Sequence, residues 1–186
     1  MQLVATINQS YLKIRFDEIF GVNLYDEDLR TVIGDEFISI IQKRTTKGLG
    51  VENGRIVKFK PYSKKYAEKT GKDRNKVDLD LYGDLLNSIE ILKSTPQVIE
   101  IGIVGDQAPK AHGHLTGQYG KGPLPRRSFL GLTKQDLTDI RNKYSRDVEK
   151  FPKLTAKNFQ GESKLNLSAS DVLEAIAALK SGKVGF

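Results

Sequence analysis

His112 and His114 stand two residues apart in a glycine-rich stretch, and a pair of neutral imidazoles is the beginning of a metal site. A complete shell takes three or four ligands, and the chain has no cysteine and no carboxylate at a telling distance from the pair. The expectation is an exposed loop with polar side chains, no metal and no cofactor. Asp78 with Asp80, and Asp26 with Asp28, bring carboxylates close in sequence, but helix starts and solvated turns use the same residues. Ser88 and Ser128 have no recognisable base, and the stretch Gly102 to Gln107, GIVGDQ, has neither the glycine spacing nor the lysine of a phosphate loop. No active site is read, and the chain is expected not to be an enzyme. Arg126 and Arg127 are the exception, because their planar donor forks grip phosphate or carboxylate. Pro123 and Pro125 hold the chain before them extended, Phe129 and Leu130 read as buried, and Thr133 caps a helix. Such a stiff mount suits a contact surface.

The elements that must carry this mount follow from composition and periodicity. A chain of 186 residues, 38% hydrophobic and 28% charged, suits one globular domain or a domain with appendages. The missing cysteine removes disulfides, thiolate metal sites and cysteine nucleophiles together. The N-terminus has no basic start before an apolar run, and no window approaches ~18 consecutive apolar residues, so neither secretion nor membrane spanning is expected. The net charge of +7 biases the surface towards nucleic acid or an acidic partner, although the lysines read as scattered over most segments.

Leu3, Ala5 and Ile7, then Leu12, Ile14 and Phe16, alternate around a polar turn as in a β-hairpin. From Asp26, the residues Leu29, Val32, Ile33, Phe37, Ile40 and Ile41 recur at helical spacing, and Gly48 and Gly50 mark the end of that long helix. Residues 55–63 read as a short strand stopped by Pro61, with a short helix from Ser63 and then an exposed, mobile loop over residues 67–80. Leu81, Leu85, Leu86 and Ile89 predict about two helical turns feeding a strand. Ile99, Ile101 and Ile103 predict a second strand with its isoleucines towards the core. Asp106 to Arg127 reads as one long loop, and Leu137, Ile140, Tyr144 and Val148 as the stripe of a helix begun by Thr133. After Phe151-Pro152 a polar linker leads to a terminal helix whose apolar face includes Val172 and Ile176. The expected fold is therefore α+β: an antiparallel or mixed sheet packed by the long first helix and by the helix after the arginine loop. An N-terminal hairpin precedes a core over residues 1–150, and residues 151–186 form a linker and separate helix.

The run LPRRSFLGLTKQDLTDI, Leu124 to Ile140, resembles the Pro-x-Arg-x-Phe-Leu-Gly-Leu plus helix signature of the phage virion-morphogenesis family, the tail-completion or neck proteins of tailed phages. Upstream, KPYSKKYAEK resembles that family's segment after its first long helix, LYGDLLNSI its Gly-x-Leu-x-x-Ser-Ile element, and VIEIGIVG with KAHGHLTGQYGKG its strand and His/Gly loop. The resemblance covers roughly Asp26 to Asp147, with four motifs in the family's order. The N-terminal hairpin and everything after Phe151 lie outside it, and the chain has no Trp before its Pro-Tyr-Ser element where many relatives carry one.

The resemblance implies a non-enzymatic structural protein of the virion neck, a tail-completion or tail-terminator ring that joins tail to head and is assembled in the host cytoplasm. Six subunits are favoured and twelve are possible. Implied partners are the tail-tube protein, the head–tail connector or portal-adaptor proteins, and genomic DNA passing through the lumen without sequence specificity. Pro125, Arg126, Arg127, His112, His114, Val172 and Ile176 are then the expected assembly contacts, with Phe129, Leu130 and Thr133 as structural anchors. The alternatives are a head-closure or adaptor ring component and a basic, sequence-tolerant DNA-binding protein.

Overall fold

A computed structural model describes residues 6–8, 11–79, 82–119 and 122–150. The chain divides into two units, Met1–Phe151 and Pro152–Phe186, and every described residue lies in the first. The expected linker and C-terminal helix lie outside the described residues, as do residues 9 and 10, where the first hairpin's turn was expected.

The chain forms a mixed α+β fold with antiparallel sheets and several helices. Strands β1 (Thr6–Asn8) and β2 (Tyr11–Arg15) belong to a four-stranded sheet with β5 (Ile89–Ser94) and β6 (Val98–Ile103), in the order β1-β2-β6-β5 and antiparallel throughout. Strict alternation sets the register: Leu12 pairs with Ile101 and Ile14 with Ile99, all four fully or almost fully buried, while Lys13 and Arg15 face water. Phe16, expected as a strand residue, opens the short helix α1 (Phe16–Phe20) instead. It keeps its place in the core, because its amide donates to Gln97 O at 2.9 Å while its ring stays fully buried.

Helix α2 (Glu27–Thr45) lies across β5 and β6 and is capped by Asp26, whose carboxylate accepts from Leu29 N at 2.6 Å. Ile33, Phe37 and Ile41, four residues apart, form its buried stripe, whereas Val32 points outward and is 49% exposed. Gly34 allows the close approach: a Cβ there would stand 2.5 Å from Ile91 Cδ1 and 2.6 Å from Ile99 Cδ1. A second two-stranded sheet follows directly, β3 (Leu49–Glu52) with β4 (Arg55–Lys58), so Gly50 lies inside a strand. Its turn is Asn53-Gly54, both at positive φ (51° and 73°), the pair that type I′ hairpin turns favour.

The remaining helices are α3 (Lys64–Thr70), α4 (Asp84–Asn87), α5 (Ala108–Thr116) and α6 (Lys134–Lys150). Helix α6 buries Leu137, Ile140, Tyr144 and Val148 as its spacing required. Helix α4 is a single turn, and Ile89 already belongs to β5. The expected long loop from Asp106 to Arg127 is instead built up of a 3-10 turn at Gly105–Gln107, helix α5 and a ribbon of β7 (Gln118–Tyr119) with β8 (Gly122–Pro123). Its proline and glycine are punctuation rather than breaks: proline falls in the first turn of α5, and Gly117 ends it at φ 79° with its amide on Gly113 O at 2.9 Å. The exposed, mobile loop expected over residues 67–80 starts inside α3, which holds residues 67–70, and is pinned further on, where Val77 and Leu79 are buried. Among the described residues no helix is long and apolar enough to cross a membrane.

Candidate functional site

The segment Leu124–Thr133 has no regular secondary structure, yet every part of it is tied down. Leu124 N donates to Gly117 O at 2.9 Å and Arg127 N to His114 O at 2.7 Å, which fixes its start against the end of α5. Val51 N donates to Ser128 O at 2.8 Å, and Ser128 Oγ donates to Glu52 Oε1 at 3.1 Å, which fixes its middle along β3. The fit there admits no side chain at Gly50, where a Cβ would stand 2.4 Å from Ser128 O and 2.6 Å from Phe59 Cε1. Phe129 and Leu130 are buried to 0% and 1% exposure, so the expected anchors are in place.

The end of the segment is held by Arg44, near the C-terminus of α2, which the sequence reading did not single out. Its guanidinium is buried, forms an ion pair with Asp136 at 2.6 Å through Nη1, and donates to Gly131 O through Nη2. The same Asp136 Oδ2 accepts from Thr133 N at 2.7 Å, while Asp136 N donates to Thr133 Oγ1 at 3.1 Å. This is a reciprocal capping box with aspartate in the usual glutamate position, so Thr133 starts α6 as expected.

The two adjacent arginines separate completely. Arg126 is exposed and forms no hydrogen bond or ion pair with any described residue. Arg127 was expected to present its charge outward beside it, but it is only 4% exposed. Its Nη2 donates to Lys60 O at 3.1 Å and, at greater length, to Pro61 O at 3.4 Å, and its guanidinium lies 5.2 Å from the centre of the Tyr62 ring. The split is one of burial: Arg127 begins a run of buried residues that continues to Thr133, and Arg126 stands just outside it. Burial pushes the Arg127 pKa down, and Tyr62 and Tyr66 oppose that shift. Tyr62 is itself fixed: its hydroxyl accepts from Leu79 N at 3.1 Å and donates to Asp78 at 3.3 Å, and burial first of all raises its pKa to about 12. Arg127 is thus a clamp between the segment and residues 60–62, and Arg126, beside half-buried Pro125, is the arginine available to a partner.

His112 and His114 lie on α5 rather than in a loop. Two residues apart on a helix they point about 200° away from each other, so they cannot share an ion. His114 is turned inward with Nδ1 unpartnered among the described residues. Burial, and then the nearby Arg127 charge, hold its pKa down at about 4, so it is neutral at pH 7. It is therefore poorly placed for a partner contact, while His112 is half-buried. Among the described residues no group of three or more His, Asp or Glu could hold a metal ion. Val172 and Ile176 lie outside the described residues.

The arrangement presents one guanidinium from a seat closed by interior hydrogen bonds, which suits recognition of an anionic group. Comparison of the chain with known protein families, with curated proteins and with solved structures gives no match.

Proposed function

We propose that the chain is a structural protein of a phage neck, a tail-completion or tail-terminator subunit that assembles into a ring joining tail to head. The observation that carries this reading is the seating of Leu124–Thr133, the segment with the family-like signature, by hydrogen bonds from α2, β3, residues 60–61 and the end of α5, with Arg126 left outward. An exposed cation on a segment held by buried contacts serves docking between preformed surfaces, where little ordering of the segment's backbone remains to be lost on binding. A closed ring needs two different complementary surfaces on each subunit. The seated segment supplies one, and residues 151–186, with Val172 and Ile176 as contacts to a neighbour or neck partner, are assigned to the other. Six subunits close the ring, or twelve in a portal-adaptor variant, and DNA passes through the lumen. On this reading the protein has no catalytic role and resides in the virion neck.

Light scattering on the purified protein, alone and with tail-tube protein, tests the reading. The expected result is a mass of six or twelve subunits in at least one condition, reduced towards the monomer by Arg126→Glu without change in circular dichroism. A monomer in both conditions, together with normal head–tail joining by Arg126→Glu particles, overturns it.

A further inference from the structure

Basic residues occur along most of the chain, but the net positive charge is concentrated in one stretch. Residues 43–76 hold twelve of the thirty Lys and Arg but three of the twenty-three Asp and Glu, so this stretch carries a net +9 and the rest of the chain −2. It runs from the last turn of α2 through the β3–β4 hairpin and α3. Lys43, Lys47, Arg55, Lys58, Lys60, Lys64, Lys65, Lys69, Arg74 and Lys76 are all exposed, and none of them has an ion-pair partner among the described residues. The fold also gathers three of them in one place. Lys47, Lys58 and Lys76 line an open recess of about 300 Å³ with Thr46, Gly48 and Asn75, where Phe59 N donates to Gly48 O at 2.8 Å and holds β4 against the end of α2. Asp73 is the single acid in that lining, and its carboxylate is engaged by Asn75 N at 2.8 Å.

We infer that this face, centred on the Lys47–Lys58–Lys76 recess, binds duplex DNA through its phosphates without reading sequence. Lysine, a compact hydrated point charge, fits that task better than a protein interface, whose core is depleted in lysine and enriched in aromatic residues. Ile56, 57% exposed, is the one large apolar residue of residues 43–76 that stands clearly in water. The inference deepens the neck reading by naming the surface that meets passing DNA, and it rests on that reading for its setting.

The test is fluorescence anisotropy of the full chain with a labelled duplex of arbitrary sequence, titrated across salt. Each phosphate neutralised contributes about 0.9 to the slope of log K against log salt, so Lys47→Gln/Lys58→Gln/Lys76→Gln should lower the slope by about 2.7. Between about 50 and about 200 mM salt, wild type then loses roughly 40-fold more affinity than this variant. The control Lys110→Gln/Lys134→Gln/Arg141→Gln removes the same charge elsewhere and should leave the slope near wild type, with circular dichroism unchanged for both. Equal slopes for the two triple variants would show attraction to net charge alone and overturn the inference. Binding to poly-glutamate but not to the duplex would overturn it in favour of an acidic protein partner. No binding of the duplex by the wild-type chain, with ring assembly intact, strikes only this proposal. A failure to form rings with DNA binding intact strikes only the assembly reading.

Discussion

Replacing Arg127 and Arg126 one at a time should give opposite results, although the residues are adjacent and chemically identical. Arg127→Ala removes a charged hydrogen bond of 3.1 Å to Lys60 O, a weaker one of 3.4 Å to Pro61 O, and the guanidinium contact 5.2 Å from the Tyr62 ring. A hydrogen bond to a charged group contributes about 1.5–3 kcal/mol and a partly desolvated cation–ring contact about 0.5–2 kcal/mol. Two effects offset this. Lys60 and Pro61 are exposed, so water can satisfy their carbonyls, and burial already disfavours the Arg127 charge. The net loss should be about 2–4 kcal/mol for Arg127→Ala. Arg127→Met, which keeps much of the volume and removes the buried charge, should lose about half as much. Arg126→Ala should stay within about 0.5 kcal/mol of wild type, as surface substitutions do. Urea unfolding measures all three, with the midpoint interpreted only where the slope m is unchanged. Equal midpoints for Arg126→Ala and Arg127→Ala would refute the assignment of Arg127 as a clamp.

His114 should make the protein acid-sensitive. Its folded pKa of about 4 lies below the ordinary value of 6.5, so the unfolded chain binds the proton more readily and stability falls as pH drops from about 6.5 towards 4. The difference between wild type and His114→Leu across that window should approach about 3 kcal/mol, and a pH-independent difference in urea midpoints would contradict it. Gly50→Ala should cost more than Gly34→Ala, by thermal melting. At Gly50 the obstacle is backbone, Ser128 O at 2.4 Å, and the Val51–Ser128 hydrogen bond must give way. At Gly34 it is the movable tips of Ile91 and Ile99. Expected losses are about 2–4 and about 1–3 kcal/mol. Phe129→Ala should lose about 3–5 kcal/mol by leaving a cavity at a fully buried site, and a wild-type melting midpoint would show that neighbours close over it.

Periodicity read well wherever one face of an element is buried. The stripe of α6 and the isoleucines of β6 were legible because burial repeats at the helix and strand periods. The strand expected over residues 55–63 is β4, but its partner β3 is not legible, since Gly48 and Gly50 also fit a helix end, although Asn53-Gly54 announces the turn between them. Helix α5 is hidden by its glycine- and proline-rich composition, although proline in a first turn and glycine just past a last turn are compatible with a helix. In the site, the anchors Phe129 and Leu130 were legible from their apolar character, but the opposite fates of Arg126 and Arg127 were not. That split depends on which of the two guanidinium groups meets Tyr62, a residue more than sixty positions away. Arg44 carried no local signal at all, because its partners Gly131 and Asp136 come from the far end of the described chain.

Those long spans govern the order of folding. The bonds that the Arg44, Arg127 and Ser128 side chains make to seat the segment close loops of 66 to 92 residues, whereas the β3–β4 hairpin closes over two. Loop-closure entropy must be overcome before distant contacts stabilise anything, so the hairpin and α2 form early and the segment seats itself late. Contacts absent from the folding transition state act on the unfolding rate alone. Weakening Arg44 or Arg127 therefore shortens the time the segment stays seated without slowing its arrival. An attachment made through Arg126 would be held no longer than that seat lasts, so its endurance would be set by the two buried arginines rather than by the exposed one.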